Sequence, residues 1–478
     1  MNGQYSDTIA AISTAVSSSG IGIVRMTGND AIGIADKVYI GKNEKRLARQ
    51  KSHTIHYGYI ADGGELIDEV LVMLMRGPKT YTGEDTVEIN CHGGVYVVKK
   101  VLETLIRYGA RPAEPGEFTK RAFLNGRLDL SQAEAVGDLI SSQNEYARRS
   151  SISQLRGNIK EKIERIRKEI IYHTAFIETA LDDPEHISVD GYGEKLKEVV
   201  DKLLGEIHHL LNTCDNGRMI KEGIQTVIIG KPNAGKSSLL NALLGEDRAI
   251  VTDIAGTTRD VLEEHINLHG ISLNIMDTAG IRDTQDIVER IGVDRAKDIA
   301  DKADLILYVI DASCPLDDND KNIFRMIAGK KTVILLNKSD LQSVVTREDV
   351  ENELKSGWNK TNVTENDPDD KNIIRIIEIS AKEQDGIDIL EETIKKMFFD
   401  GDISFNNEVY ITNVRHKSAL NDAYESLKKV IKSIEMDMPE DFYSIDLMDA
   451  YESLGNITGE TIGEDLVNEI FSKFCMGK

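Results

Sequence analysis

The sequence predicts a multidomain chain. An α+β N-terminal region comes first, and helical sequence follows in two segments with an α/β region of P-loop type lying between them. Three observations carry this reading. Short β-rich runs bounded by Gly, Asp or Pro occupy the first ~115 residues. Apolar residues at helical spacing dominate from Ser131 to Leu181 and return after Glu408. Between those stretches, five apolar runs alternate with helix-like sequence, and the first runs into Gly230-Lys-Pro-Asn-Ala-Gly-Lys-Ser237.

In chain order, Ile21–Val24, Thr54–Ile60, Val70–Met75 and Val87–Ile89 read as strands, and Val95–Arg107 as a helix. Ser131-Gln-Ala-Glu134 has the spacing of a capping box and predicts a helix start. Ile163, Ile166, Ile170, Ile177 and Leu181 then share one stripe, with polar Thr174 in the same series, and Asp182-Asp183-Pro184 ends it. Lys195–Leu211 reads as a further amphipathic helix. Val227–Ile229, Leu273–Met276, Leu305–Ile310, Val333–Leu336 and Ile373–Ile379 read as strands of a parallel sheet. Polar Lys355–Lys371, with the single Trp358, reads as an exposed insertion. Helices over Glu408–Met436, Phe442–Leu454 and Glu464–Phe474 close the chain. The economical division is 1–120, 121–221, 222–399 and 400–478, with the second and fourth stretches forming one discontinuous helical domain; tandem independent domains are the alternative.

With 478 residues the chain can bury cores without disulfide or metal staples. Lys and Arg total 58 against 81 Asp and Glu, a net charge of −23, so bulk charge does not drive nucleic-acid binding. Any RNA contact needs a local basic patch or a partner. Cys91, Cys214, Cys314 and Cys475 are scattered without zinc spacing, which points to a reducing compartment. No apolar run approaches the roughly 20 residues of a membrane span, and Arg25 is the first basic residue, so the chain reads as cytoplasmic with no membrane partner. Cys91-His92 is disfavoured as a thiol–imidazole pair, because neighbours on a strand face opposite sides. His265 and His269 lie in alternating, strand-like sequence and are disfavoured as a metal pair. Lys99, Lys100, Arg107, Arg111, Lys120, Arg121 and Arg127 form a basic stretch that reads as a solvated helix face, with RNA or an anionic cofactor as the alternative.

The phosphate loop matches G-x-x-x-x-G-K-[ST]: its glycines let backbone N–H groups wrap phosphates, Lys236 reaches the β/γ-phosphates and the Ser237 hydroxyl ligates Mg²⁺. Asp277-Thr278-Ala279-Gly280 follows a strand, where the Asp can order the Mg²⁺ shell and the Gly280 N–H can meet the γ-phosphate. Asn337-Lys338-Ser-Asp340 selects guanine, because the Asp340 carboxylate accepts two hydrogens from its edge and adenine lacks that donor pair. Ser380-Ala381-Lys382 backs the base contact. Gly256-Thr257-Thr258 lies where a switch threonine belongs, and Thr258 is the second protein ligand chosen for Mg²⁺. Five elements in this order specify an inserted, Ras-like α/β GTPase domain. GTP-contacting candidates are Asn233, Ala234, Gly235, Lys236, Ser237, Ser238, Thr252, Asp253, Ile254, Ala255, Gly256, Thr257 and Thr258, together with the three later elements.

Ile281 occupies the position where some GTPases carry a water-orienting Gln, so catalysis comes from elsewhere. Glu289 is one candidate, its alternative being a solvated helix charge; Arg259, Asp260, Arg282 and Arg290 are others. Asn233 opens a further route, a monovalent cation held beside the phosphates in place of an arginine. Lys236 and Thr258 are catalytic candidates through the phosphates and Mg²⁺, and the choice among Glu289 and the others stays open on the residues alone. At the chain's end, Cys475-Met-Gly-Lys478 does not fit a prenylation box.

The sequence resembles the MnmE (TrmE) tRNA-modification GTPase family over essentially its whole length. The carrying motifs are Asp7-Thr-Ile-Ala10, Gly22-Ile-Val-Arg25, Tyr81-Thr-Gly-Glu-Asp85, Cys91-His-Gly-Gly94, Pro115-Gly-Glu-Phe-Thr119, Arg121-Ala-Phe-Leu-Asn125, Leu128–Ala135, the GTPase set and Cys475-Met-Gly-Lys478. The resemblance implies an N-terminal folate-binding domain similar to the glycine-cleavage T protein, a constitutive homodimer, and K⁺ at the place of an arginine finger with G domains dimerising across the nucleotide. It also implies an FAD-containing partner, MnmG, in a heterotetramer or larger complex. Together they would add a (carboxymethyl)aminomethyl group to the wobble uridine of certain tRNAs, the one-carbon unit coming from 5-formyl- or methylene-tetrahydrofolate. By the same resemblance K⁺ falls to Asn233, Thr252, Ile254 and Thr257, the catalytic glutamate to Glu289, folate to Arg25, Glu88, Arg127 and Lys478, and a thiol role to Cys475. Thr14-Ala-Val-Ser-Ser-Ser-Gly20 replaces the family's Pro-Pro-Gly turn, and Met476 the commoner Ile. A ribosome-assembly GTPase switch is the alternative; it would not need the N-terminal domain or the terminal motif. A cytoskeletal or membrane-remodelling scaffold is disfavoured by the missing membrane anchor and basic tail.

Overall fold

A computed structural model of the chain describes residues 7–42, 45–183, 185–186, 191–245, 264–268, 270–276, 300–357, 374–398, 410–460, 463–474 and 477. The chain divides into two compact units. One comprises residues 1–141, 150–211 and 414–478, the other residues 142–149 and 212–413.

The first unit begins with β1 (Ile9–Ile12), β2 (Gly22–Thr27), α1 (Ala31–Val38), β3 (Tyr39–Gly41), β4 (Thr54–Asp62), β5 (Glu65–Met75), β6 (Thr86–Cys91), α2 (Val95–Arg107), β7 (Arg111–Pro112), α3 (Glu117–Leu124) and α4 (Leu130–Ser141). The strands form one sheet in the order β3-β4-β5-β6-β2-β1-β7, antiparallel except for the β1–β7 pair. Val24, Met26, Val72, Leu74, Val87 and Ile89 point to the face covered by α1 and α2 and form its core. Period-2 alternation puts the intervening residues on the opposite face. There Ile40, Tyr59, Tyr57, Leu71 and Ile55 lie across neighbouring strands, and Asn90, Glu88 and Arg25 continue the row. Ile40, Ile55, Tyr57 and Leu71 are exposed.

The helical part follows with α5 (Glu145–Leu155), α6 (Asn158–Asp182) and α7 (Tyr192–Glu222). Buried Ile163, Ile166, Ile170, Thr174 and Ile177 confirm the stripe on α6, but the burial then passes to Ala180 and Leu181 is exposed. Leu181 stands five turns from Ile163 and so on the same side of the helix, but it lies one residue from the helix end, where the packing stops. α7 extends well beyond Leu211, because no Gly or Pro stops it before Gly217 and Gly217 lies inside the helix. The start of α4 is also shifted. Asp129, not Ser131, is the capping residue: its Oδ1 accepts the Gln132 amide at 2.9 Å and its own amide donates to Gln132 Oε1 at 3.0 Å. Ser131 and Glu134 sit buried inside the helix.

The second unit holds β8 (Ile224–Gly230), α8 (Lys236–Leu244), β9 (Glu264–Leu268), β10 (Ile271–Ile275), β11 (Leu305–Asp311), α9 (Asp318–Met326), β12 (Thr332–Asn337), α10 (Arg347–Gly357), β13 (Ile374–Ile379) and α11 (Ile387–Phe398). Sheet order is β13-β12-β11-β8-β10-β9. The expected parallel sheet is present, with one correction: β9 pairs antiparallel with β10 as an edge hairpin, turned at Gly270 with φ +98°. Strand β11 shows both faces covered. Leu305, Leu307 and Val309 pack with α8 and α11, while Ile306, Tyr308 and Ile310 pack with α9 and α10. Such two-sided burial is why these strands read as continuous apolar runs.

The chain closes in the first unit with α12 (Val414–Glu435), α13 (Glu440–Thr458) and α14 (Glu464–Ser472). Helices α12 and α6 pack on α13, and α14 packs on α3 and α4 through Leu130, Ala133, Val467 and Phe471. Most of the polar insertion read at Lys355–Lys371 lies outside the described residues.

Candidate functional site

The phosphate loop joins the end of β8 to the start of α8, as the motif requires. Gly235 takes φ +103°, and a Cβ there would stand 2.1 Å from Asn337 Nδ2, so only glycine fits. Asn233 also takes a positive φ, +61°, and is exposed. Lys236 Nζ donates to the carbonyls of Gly230 and Lys231, each at 2.8 Å. The ammonium thus lies within the loop, beside the N-terminus of α8, where an anion is favoured. Ser237 and Ser238 are exposed on the first turn.

Three loops are joined through one side chain. Asn337, buried at the end of β12, donates from Nδ2 to the Ala234 carbonyl at 2.8 Å and accepts at Oδ1 from the Ala381 amide at 3.0 Å. Asp340 is exposed, and its Oδ1 accepts from Ser380 Oγ at 2.7 Å. The Ser380 hydroxyl holds the Asp340 carboxyl below its ordinary range, so at neutral pH it is acceptor-only. That is the chemistry needed to read paired N–H donors on a base edge. Lys382 is exposed beside Glu383.

Thr252, Asp253, Ile254, Ala255, Gly256, Thr257, Thr258, Asp277, Thr278, Ala279, Gly280 and Glu289 lie outside the described residues. So do Arg259, Asp260, Ile281, Arg282 and Arg290. Ser237 is therefore the Mg²⁺ candidate, and Asn233 the K⁺ candidate, that fall on described sequence. His265 bonds Asn274 Oδ1 at 2.8 Å across the hairpin, and His269 lies outside the described residues. No His, Cys, Asp and Glu cluster fit for a metal occurs among the described residues.

In the first unit the sequence candidates Arg25 and Glu88 face each other across β2 and β6, Nε to Oε1 at 2.7 Å. The last turn of the chain reaches the same place. The Gly477 carbonyl accepts from Arg25 at 3.3 Å and from Ser13 Oγ at 3.2 Å. Lys478 and Cys475 lie outside the described residues. Arg127 is exposed and stands over the Tyr81 ring at 5.2 Å; Arg25 stands over Tyr81 and Phe118, each at 5.7 Å. Guanidinium groups suit carboxylates, and a carboxylate beside aromatic walls suits a ring bearing N–H donors. Tyr81 and Phe118 escaped the site reading, although both lie inside motifs the sequence displays.

The basic stretch is a solvated face only in part: Lys99, Arg107 and Arg127 are exposed, but Arg121 is not. Arg121 is fully buried and holds Asp7, Glu84 and Glu117 at 2.8, 3.2 and 3.0 Å. Arg111 pairs with Asp7 and Glu117, and Arg107 with Asp62. This network fixes the Tyr81–Asp85 loop against α3, aided by Asn125 Nδ2 on the Thr82 carbonyl at 2.8 Å. Cys91 is buried with its thiol pushed up to about 11, first by burial, while His92 turns outward to Asp68 at 2.7 Å. The two do not form a pair.

Comparison with known proteins decides the assignment. A family model described as the MnmE helical domain matches residues 130–475, and one described as the GTP-binding protein TrmE N-terminus matches residues 8–127. The tRNA modification GTPase MnmE of Lachnoclostridium phytofermentans is 57% identical over 473 residues, covering 99% of each chain. The chain belongs to the MnmE family. The protein of the same name from Acetivibrio thermocellus is 48% identical over 474 residues, again 99% of each chain. A solved G domain of the T. maritima FeoB iron transporter is 22% identical over 36% of this chain and 98% of its own, with a TM-score of 0.25, too low to carry an argument. MnmE relatives match from end to end, N-terminal region included, which leaves the ribosome-switch alternative without support. As an MnmE family member the chain is a tRNA modification GTPase built of a TrmE N-terminal domain, an MnmE helical domain and a P-loop G domain. No helix of the described residues is long and apolar enough to cross a membrane.

Proposed function

We propose that this chain is the GTP-hydrolysing subunit of a cytoplasmic complex that modifies the wobble uridine of certain tRNAs at C5. Hydrolysis yields GDP and phosphate and is stimulated by K⁺. The single observation that carries the nucleotide half is the Asn337 junction, which ties the phosphate loop, the base-reading loop and the Ser380–Lys382 loop into one site. Lys236 binds the β/γ-phosphates, and Ser237 with Thr258 hold Mg²⁺, which neutralises phosphate charge. Asn233, Thr252, Ile254 and Thr257 hold K⁺, whose charge serves where an arginine would. Glu289 orients the attacking water.

Hydrolysis drives dimerisation of G domains and conformational cycling. Arg25, Glu88, Arg127 and Lys478 bind a 5-formyl- or methylene-tetrahydrofolate; the meeting of Arg25, Glu88 and Gly477 supports this. The folate supplies the one-carbon unit, and an FAD-containing partner, MnmG, acts in the same complex. The exposed face of the N-terminal sheet supports the homodimer: Ile40, Ile55, Tyr57 and Leu71 form an apolar patch that a second copy would cover, continuous with Arg25 and Glu88. Domain limits of 1–120, 121–221, 222–399 and 400–478 belong to the same reading.

Reconstitution tests it. The full chain, the flavoprotein partner, unmodified tRNA, GTP, Mg²⁺, K⁺, methylene-tetrahydrofolate and glycine or ammonium as the amine source are expected to yield a C5-modified wobble uridine by nucleoside mass spectrometry. Omission of either GTP or folate should abolish the product. Modification without folate would refute the one-carbon assignment.

A further inference from the structure

The segment from the end of β11 to the first turn of α9 grips two lysines that belong to different loops of the nucleotide site. At its start, Asp311 Oδ2 accepts from Lys338 Nζ at 2.6 Å, and Oδ1 accepts from the Ser313 hydroxyl at 2.6 Å and its amide at 3.0 Å. At its end, Asp320 is fully buried and takes Lys231 Nζ at 2.6 Å and the Tyr308 hydroxyl at 2.7 Å. Asp317 accepts from the same ammonium at 3.1 Å.

Neither pair is an ornament of the surface. Side-chain exposure is 18% and 1% for Lys231 and Asp320, and 31% and 14% for Lys338 and Asp311. The two lysines stand at informative places. Lys231 follows Gly230 in the phosphate loop, and its carbonyl accepts from Lys236 Nζ. Because Asp320 holds the Lys231 ammonium, that charge is taken up away from the phosphates, and Lys236 alone of the two is left to meet them. Lys338 sits between Asn337 and Asp340 with φ +69°. Its stem is stretched from the base-reading loop to the end of β11, so its methylenes are ordered before a base arrives. Ordering a lysine in advance removes an entropy cost from binding.

We infer that Asp311 and Asp320 are positioning residues for guanine-nucleotide binding: one acidic segment sets the Lys338 stem for the base and the Lys231 carbonyl for Lys236. This rests on the nucleotide site proposed above.

The test is binding of fluorescent GTP and GDP analogues to the full chain, with steady-state hydrolysis alongside. Asp311→Asn is expected to weaken both nucleotides about tenfold, the worth of one charge-assisted hydrogen bond. KM should rise with kcat within about twofold, since uniform binding is what is lost. Asp311→Glu should recover part of the loss. Asp320 is buried, so Lys231 is the safer handle on the other pair. Lys231→Met should weaken the GTP analogue more than the GDP analogue, because it loosens the seat of Lys236, and Lys231→Arg should keep the wild-type ratio. Unchanged affinity in Asp311→Asn and Lys231→Met, or a loss seen only as a smaller folded fraction, would overturn the inference. Asp340→Asn separates this from the underlying reading. If it leaves guanine preference intact, the site itself is misassigned; if it removes that preference while Asp311→Asn binds normally, only the positioning role fails.

Discussion

Glu134 shows how far a single carboxylate can move from its sequence signature. Its spacing from Ser131 fits a capping box, yet Asp129 and Gln132 cap the helix instead. Glu134 turns inward and takes Arg415 at 2.7 Å and His416 at 2.8 Å, both from the first turn of α12. Burial alone would raise its pKa, but the hydrogen bonds and charges of His416 and Arg415 outweigh that and hold it at about 2. A depressed native pKa gives stability that is present above the unfolded value, near 4.5, and is lost as pH falls toward about 2. The contribution at neutral pH is about 3 kcal/mol. Urea unfolding from about pH 6 down to about pH 2 checks it. Wild type should lose stability across the range, and Glu134→Gln should start lower and change less. Equal slopes would contradict the assignment. Asp129 and Ser131 offer two overlapping capping patterns, and only packing chooses between them: the choice that caps with Asp129 also buries Glu134 against α12.

Elements were legible where one physical cause dominated. Strands β8, β11 and β12 are buried on both faces, so their apolar runs stand out. Helix α2 matches its expected limits because its buried Val98, Val101 and Leu105 keep a clean helical period. Helix α1 gave no such sign: it has eight residues, no side-chain cap and Gly33 at its third position. The phosphate loop and Asn337-Lys338-Ser-Asp340 were readable because backbone geometry and base chemistry each demand particular residues. The meeting of Tyr81 with Arg25 and Arg127, and of Phe118 with Arg25, was not readable, since only the fold brings them together. The chain's last turn is the element most exposed to a single change. Gly477 has φ +85°, and a Cβ on it would stand 2.4 Å from the Ile12 carbonyl. Gly477→Ala should therefore push the terminus off β1 and β2. Calorimetric titration with 5-formyl-tetrahydrofolate should show at least about tenfold weaker binding with GTP hydrolysis unchanged, the loss of an interaction or two at the site. Binding at wild-type strength would show that the terminus does not help to form that site.

At the scale of the molecule, the net charge of −23 gives no bulk attraction for RNA, and Arg121 of the basic stretch is buried in ion pairs while Lys99, Arg107 and Arg127 stay exposed. The G-type unit contributes a rigid nucleotide frame, joined through Asn337, and the N-terminal unit contributes the Arg25–Glu88 pair. The claim on which the account depends is that a monovalent cation at Asn233 does the work of the missing Gln. The measurement is the GTP hydrolysis rate of the full chain in KCl against NaCl at equal ionic strength, for wild type and Asn233→Ala. The account predicts much faster turnover in KCl, by at least about tenfold, and loss of that advantage in the variant. Equal rates of the wild type in the two salts would contradict it and move the search to Arg259 and Arg282.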